Sequence, residues 1–309
     1  MTKRKIFLLS LISVLAVTYI FQLVFASRAK ISEISFKGEL TKIEITAADT
    51  KNTLSKQEES FFINDNLPAK TELSQSLFTT LQSIKVIDSV NKKPSQSDFE
   101  KYGLASGMTV EGFSAENKKL IKLTIGKTST TGNQTYIQLN DSKEVLLVSQ
   151  DLNQIFSTSE KELLDMTLYS INENDIYKIA VTYSPSGSFT AEKAGEMADF
   201  KWNITGADNN VDLTKFNSDK FKNWISTITE LSASKWLNNF NVADTELDES
   251  HYYSMTIFAA EKEIKIDLYQ MKADLGSEKL CICSENEYLC EITADDVSRI
   301  VTELKNFLD

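Results

Sequence analysis

An internal duplication constrains the fold of this chain more than any other feature of its sequence. Matching segments recur in the same order roughly 140 residues apart. Each copy opens with an alternating strand, Lys42–Ile45 or Lys178–Val181, and continues with a short aromatic strand, Phe61–Asn64 or Phe200–Asn203. An amphipathic helix, a meander of strands and a closing helix follow. The sequence therefore predicts an α+β fold of two tandem repeated modules, each an antiparallel sheet with two helices on one face.

The apolar positions of the two copies correspond along their whole length. The first helix carries Leu77, Phe78, Leu81 and Ile84 in one copy and Trp224, Ile225, Ile228 and Leu231 in the other. The meander strands are 108–110, 120–125, 135–139 and 145–148, matched by 253–257, 263–268, 279–283 and 288–292. The closing helix carries Leu152, Ile155 and Phe156, matched by Val297, Ile300 and Val301, and Leu163–Asp165 corresponds to Phe307–Asp309. We place the modules at residues 35–168 and 172–309.

The N-terminus predicts a membrane anchor. Residues 1–5 form a basic cytoplasmic tail, and residues 6–26 contain no charged side chain. A helical run of this length matches a hydrocarbon core of about 30 Å, and the basic residues favour a cytoplasmic N-terminus. We therefore expect a transmembrane signal-anchor that crosses the cytoplasmic (inner) membrane once, with the bulk of the chain extracytoplasmic, in the periplasm. A signal peptide cleaved near Ala26 is the alternative, although the apolar run is longer than usual for one.

Composition limits the partners that the exported part can have. Asp and Glu number 44 against 33 Lys and Arg, which gives a formal net charge of −11. An acidic protein repels nucleic-acid phosphates and anionic lipid headgroups, so we expect no nucleic-acid partner. The 17 Phe and 10 Tyr residues favour packed cores over disorder.

The three cysteines lie close together near the C-terminus, at positions 281, 283 and 290. With a two-residue turn at Glu285 and Asn286, Cys281 falls opposite Cys290 on the neighbouring strand. Cross-strand Cβ atoms are close enough for a disulfide when the pair is not hydrogen-bonded, and an oxidising periplasm permits one. The possible disulfide is therefore Cys281–Cys290. The alternative is that all three thiols are small buried residues of the core.

A search for catalytic chemistry finds little in the sequence. The one histidine, His251, has Asp248 and Glu249 only as sequence neighbours, and a lone His does not make a metal site. The sequence contains neither a nucleophile elbow nor a glycine loop that could bind phosphate. We therefore expect no catalytic, metal-binding or cofactor-binding residues. A hydrolase acting on envelope polymers has the least support among the functions considered.

Several segments resemble a bacterial family, the domain of unknown function 4340. They are the N-terminal membrane segment and residues 40–45, 98–104, 123–127 and 136–148. The most distinctive element is Tyr102-Gly103-Leu104, where Ser97 and Glu100 can form a capping box and Gly103 can end a short helix, so we interpret it as structural. After it, Ala105-Ser106-Gly107 stands where the family commonly has prolines, and the second copy has no counterpart of the element. The resemblance implies an extracytoplasmic accessory, often encoded beside gliding-type ABC transporter subunits, without established catalytic residues.

Two functional hypotheses follow. The first is a membrane-anchored extracytoplasmic accessory or interaction protein whose partner is an ABC permease or an extracytoplasmic transporter subunit. The alternative is a periplasmic ligand-binding protein with a pocket between the two repeats, and the sequence does not indicate the small-molecule ligand.

Overall fold

The computed structural model divides the chain into two compact units, Met1–Leu164 and Asp165–Asp309. It describes residues 12–20, 32–48, 50–64, 66–130, 132–183, 187–194, 201–206, 212–237, 247–260, 262–271, 279–285 and 288–309. The division falls just before the boundary expected between residues 168 and 172. Residues 167–170 belong to the second unit because they pair with a strand of that unit.

Only part of the expected anchor is described. Residues 12–20 form a helix, α1, and the basic tail and the rest of the segment 6–26 lie outside the described residues. Within the described part of the chain, no helix has both the length and the apolar character needed to cross a bilayer.

The first unit is built on a ten-stranded antiparallel sheet. Its strands are β1 (Ser32–Ile34), β2 (Lys42–Ala47), β3 (Thr50–Gln57), β4 (Ser60–Ile63), β5 (Leu67–Ala69), β6 (Ile84–Asn91), β7 (Met108–Phe113), β8 (Lys119–Thr128), β9 (Thr135–Leu139) and β10 (Val145–Val148). Its helices are α2 (Thr71–Gln82), α3 (Gln96–Lys101), α4 (Leu152–Phe156) and α5 (Glu160–Leu163). The strand order is β1-β6-β10-β9-β8-β7-β2-β3-β4-β5.

Helix α2 contributes three apolar side chains to the core of this unit. Leu77, Phe78 and Leu81 are buried on its inner side, and the rings of Phe61 in β4 and Phe78 lie 5.3 Å apart, edge to face. The predicted helical stripe is correct for these three residues. It is wrong at Ile84, which begins β6, because the helix ends at Gln82 and Ser83 takes a non-helical conformation.

The second unit contains an eight-stranded antiparallel sheet and a separate pair of strands. Its strands are β11 (Thr167–Ser170), β12 (Ile176–Tyr183), β13 (Gly187–Ala194), β14 (Lys201–Gly206), β15 (Glu230–Ser232), β16 (Lys235–Trp236), β17 (Leu247–Ala259), β18 (Lys262–Met271), β19 (Lys279–Cys283) and β20 (Leu289–Ile292). Its helices are α6 (Ser218–Thr227) and α7 (Ala294–Ile300), with 3-10 turns at Glu173–Asp175, Leu213–Lys215 and Leu304–Phe307. The large sheet has the order β14-β13-β12-β17-β18-β19-β20-β16, and β11 pairs with β15.

An aromatic cluster forms the core beside α6. The ring of Phe307 lies 5.1 Å from that of Phe221 and 5.4 Å from that of Trp224, and Phe189 in β13 lies 5.8 Å from Phe307. As in the first unit, the predicted stripe extends beyond the helix, because α6 ends at Thr227, Ile228 is its C-cap and Leu231 lies in β15.

The two sheets share one strand order. Without its two edge strands β1 and β5, the strand order in the first unit is β6-β10-β9-β8-β7-β2-β3-β4. It corresponds, position by position, to the order β16-β20-β19-β18-β17-β12-β13-β14 in the second. The ends of the copies also match in detail. The N–H of Lys70, which precedes α2, donates to the carbonyl of Leu163 at 2.8 Å, and the N–H of Asn217, which precedes α6, donates to that of Phe307 at 2.7 Å.

The chain is mostly strand, with helices packed onto antiparallel sheets, so the α+β fold class is confirmed at this level. The expectation of two helices per module is too low for the first unit, where α3 is added and the closing helix is split into α4 and α5. The split occurs because Ser157 ends α4 and Ser159, with a capping box to Glu162, starts α5.

Candidate functional site

The element Tyr102-Gly103-Leu104 forms the C-terminal end of α3. The helix begins at Ser95, whose side chain accepts from the N–H of Asp98, and the Asp98 carboxylate accepts in return from the N–H of Ser95 at 2.8 Å. The capping box predicted for Ser97 and Glu100 is therefore wrong, because the helix starts two residues earlier. The same contacts with Ser95 hold the pKa of Asp98 below its usual value.

Gly103 ends the helix, as predicted, in the left-handed conformation at φ +73°. The N–H of Gly103 donates to the carbonyl of Glu100, and the N–H of Leu104 donates to that of Phe99 at 2.8 Å. These two bonds make a Schellman motif, in which glycine is favoured because it has no Cβ. Leu104 is 5 % exposed and completes the helix end with a buried apolar side chain.

The helix end docks against β8 through backbone contacts. The N–H of Lys127 donates to the carbonyl of Tyr102 at 2.9 Å. A Cβ on Gly126 would lie 2.3 Å from that same carbonyl oxygen, and a Cβ on Gly103 would lie 3.0 Å from the nitrogen of Lys127. The close approach of two backbones therefore requires glycine at position 126, whereas at position 103 the left-handed φ favours glycine and the contact with Lys127 is tight.

Side-chain contacts also stabilise this junction. The rings of Tyr102 and Tyr136 lie 4.7 Å apart, and the side-chain amide of Asn153 in α4 donates to the carbonyl of Gly126 at 2.7 Å. The segments 98–104, 123–127 and 136–148, which carried the family resemblance, thus meet at one place. We interpret this junction as structural, because backbone groups and packed rings account for its contacts.

The cysteines lie in the hairpin of β19 and β20, with Cys281 opposite Cys290 as the spacing predicted. All three are buried free thiols, and the Cys290 Sγ–H donates to the carbonyl of Cys281. The predicted turn residue Asn286 lies outside the described residues. Burial raises the pKa of Cys283 to about 11, and the hydrogen bond between Cys290 and Cys281 together with burial raises the pKa of Cys281 well above its ordinary value.

A disulfide between Cys281 and Cys290 was expected only if the pair is not hydrogen-bonded, and the register of the hairpin does not meet this condition. The carbonyls of Leu289 and Glu291 accept from the β16 side of the sheet, at Leu237 and Ser234. Because successive backbone groups point to opposite edges, those of Cys290 face β19, which makes Cys281–Cys290 a hydrogen-bonded pair. This geometry favours the alternative of buried core thiols, and the disulfide stays a prediction.

A groove of about 840 Å³ lies beside β1, β6 and β10 in the first unit. Its aliphatic part includes Ile34, Ile87, Leu139 and Leu146, each half-buried and thus partly accessible. Serine side chains and three carboxylates complete the lining, and no Lys or Arg is among the described residues that line it. Sequence reasoning missed this groove because it depends on β1 pairing with β6, far along the chain.

The three carboxylates of the groove belong to Glu33, Asp88 and Glu144. The Ser83 hydroxyl donates to Glu33, and the Ser89 hydroxyl donates to Glu144. The N–H of Ser89 donates to Asp88 at 2.8 Å. All three carboxylates thus accept from neutral donors, which orient the oxygens without neutralising their charge.

Metal-binding chemistry is not apparent in the described part of the chain. No group of three or more His, Cys, Asp or Glu side chains there could hold a metal ion. His251 lies in β17 opposite Tyr269, and its side chain is outside the described residues.

Comparison with known proteins places the chain in a family. A family model described as Domain of unknown function (DUF4340) matches residues 64–250, more than half of the chain. The chain belongs to this family. The DUF4340 match includes the α3–β8 junction and the β6 and β10 walls of the groove, whereas β1 and all three cysteines lie outside it. No curated protein and no solved structure matches the chain.

Proposed function

We propose that this DUF4340 protein is a membrane-anchored extracytoplasmic interaction protein that works with an ABC-type transport system. The partner, an ABC permease or an extracytoplasmic transporter subunit, comes from the family resemblance. The location comes from the basic tail and the uncharged run at residues 6–26. The proposal assigns the chain no catalytic step.

The observation that carries the proposal is the groove beside β1. An open surface that combines aliphatic side chains with carboxylates suits contact with another macromolecule. β1 begins at Ser32, a few residues after the proposed anchor ends. An anchored chain would therefore present the groove near the membrane, where a permease has its extracytoplasmic loops.

The internal duplication also supports the proposed interaction role. The shared strand order and the matched bonds at Lys70 and Asn217 support descent of both units from one module. Duplication enlarges a folded scaffold without new chemistry, which is consistent with an interaction role.

Anchoring is tested by extracting membranes of the native host with alkaline carbonate. We expect the chain to remain in the pellet, and N-terminal sequencing to find residues 1–26 still attached. A soluble chain that begins after Ala26 would contradict the anchor and support a cleaved signal peptide.

The partner is tested by affinity purification of the tagged full chain from mild-detergent extracts of the same host. We expect permease or other ABC transporter subunits to be enriched, relative to a membrane protein that carries only residues 1–31 fused to an unrelated domain. Equal recovery of these subunits with both baits would overturn the assignment.

A further inference from the structure

The groove beside β1 has an unbalanced charge, because the described residues that line it include three carboxylates and neither Lys nor Arg. Some other carboxylates of the unit pair with lysine: Glu44 lies 3.1 Å from Lys42 and 2.9 Å from Lys51, and Asp141 lies 2.9 Å from Lys122. No salt bridge within the described part of the chain includes any of the three groove carboxylates. Three negative charges therefore line this surface, and Lys85, which lies opposite Glu33 in the register of β1 and β6, is not among the residues that line it.

The aliphatic side chains of the groove set a second requirement for a ligand, which must also cover apolar surface. Ile34, Ile87, Leu139 and Leu146 keep part of their surface in water, and covering that surface is favourable. A small cation would satisfy the carboxylates but leave this area exposed. A purely apolar segment would cover the area but leave three carboxylates without a cation.

We propose that the groove binds a positively charged segment of a partner protein that also carries apolar side chains. Lysine or arginine side chains of the segment pair with Glu33, Asp88 and Glu144, and its apolar side chains cover the aliphatic surface. The exposed serines at 32 and 35 offer hydroxyls to its backbone. The inference rests on the proposed function for its cellular context and adds the chemistry of the partner.

The test measures binding of a fluorescent synthetic peptide that alternates lysine and valine, by anisotropy. The purified full chain is held in nanodiscs of neutral lipid, and empty nanodiscs serve as the blank. Replacing the three carboxylates together, as Glu33→Gln, Asp88→Asn and Glu144→Gln, keeps an acceptor oxygen for each serine donor. We expect this triple variant to raise Kd about tenfold, and high salt to weaken binding of the unmodified chain.

A matched variant separates the groove from general attraction to an acidic protein. Glu58→Gln, Glu59→Gln and Glu116→Gln remove the same charge from exposed positions of the same unit, and we expect less than about a twofold change in Kd. Equal weakening by the two triple variants, or no binding to the unmodified chain, would overturn the proposal. A control peptide alternates lysine and serine. Equally tight binding of this peptide would overturn the proposal that apolar side chains of the partner cover the aliphatic surface.

A folding control accompanies both variants, with circular dichroism and thermal unfolding expected to match those of the unmodified chain. The assay contains only this protein and a peptide. A failure here is therefore distinguishable from a failure of the transporter assignment, which is tested by co-purification.

Discussion

Single backbone contacts determine which residues the α3–β8 junction accepts. Gly126 has no side chain because its Cβ would meet the carbonyl oxygen of Tyr102 at 2.3 Å, closer than atoms can approach. The strand and the helix end must separate to accommodate any larger residue, and the bond from Lys127 to Tyr102 is then lost.

We expect Gly126→Ala to lower the free energy of unfolding by about 3 kcal/mol, measured by urea denaturation with far-UV circular dichroism. Hydrogen exchange should show the loss of protection at residues 102–104 and 123–127. Gly132→Asn is the control: a Cβ there meets nothing within 4 Å, and Asn tolerates the φ of +75°. If both variants unfold at the same urea concentration as the unmodified chain, the close approach is not what requires glycine at position 126.

A second residue-scale prediction concerns Asp296, at the start of α7. Burial alone would raise the pKa of this carboxyl, but the Thr293 hydroxyl and the Arg299 guanidinium, whose Nη2 lies 2.7 Å away, hold that pKa below its usual value. Arg299 also donates to the carbonyls of Thr227 and Glu230, so the ion pair ties α7 to the end of α6.

Because the folded-state pKa is depressed, the ionised form of Asp296 stabilises the second unit above the unfolded-state value and this contribution is lost as pH falls through the acid range. We expect Asp296→Asn to be less stable than the unmodified chain at neutral pH, with the difference vanishing once the pH falls below the depressed folded-state pKa of Asp296. Tryptophan fluorescence is a suitable measurement, since all three Trp residues lie in this unit. Asp295→Asn removes the same charge from the neighbouring position and should lack this pH-dependent difference.

At the scale of elements, the β19–β20 hairpin shows how register controls cysteine chemistry. The pairing of Cys281 with Cys290 could be predicted from the turn, because a two-residue turn fixes the register. Whether the pair is hydrogen-bonded was not predicted, because that depends on which backbone groups of β19 face β20. The N–H of Ser284 donates to the carbonyl of Lys265 in β18 at 2.9 Å. Because successive backbone groups face opposite edges, those of Cys281 face β20, at a hydrogen-bonded position whose side chains are less suited to a disulfide.

We expect three free thiols in protein purified without reductant, counted by alkylation and mass spectrometry after unfolding. In the folded protein alkylation should be slow, because the thiols are buried and the raised pKa of Cys283 keeps it protonated at neutral pH. Finding one thiol and a Cys281–Cys290 disulfide would show that the hairpin tolerates the bond despite its register.

Most elements with a strong apolar pattern could be predicted from the sequence, but β6 was missed because its first residue, Ile84, also continues the helical spacing of the α2 stripe. The stripes of α2 and α6 and all meander strands were found, because buried residues recur at the period of each element. Strand β3 was missed, since Leu54 is its one buried residue and the rest is polar. The α3 start was misplaced because Ser95 with Asp98 and Ser97 with Glu100 offer two overlapping capping boxes.

At the scale of the whole molecule, the duplication predicted the order of the elements along the chain. The two large sheets show that the order of the strands within each sheet is shared as well. Long-range pairing decides what sequence spacing cannot, such as the position of β1 at the edge of its sheet. The groove depends on that pairing. The candidate site was therefore not predictable, although three of the segments that carry the family resemblance, 98–104, 123–127 and 136–148, meet at one structural junction.

Site-directed photo-crosslinking in the native host tests whether the groove beside β1 contacts a subunit of an ABC transporter. A photoreactive amino acid replaces Ser35, in the groove, or Glu116, an exposed residue outside it. We expect a crosslinked product that contains an ABC transporter subunit from position 35, and far less of it from position 116. Products without any transporter subunit, or equal yields of the same product from both positions, would contradict the proposed role of the groove.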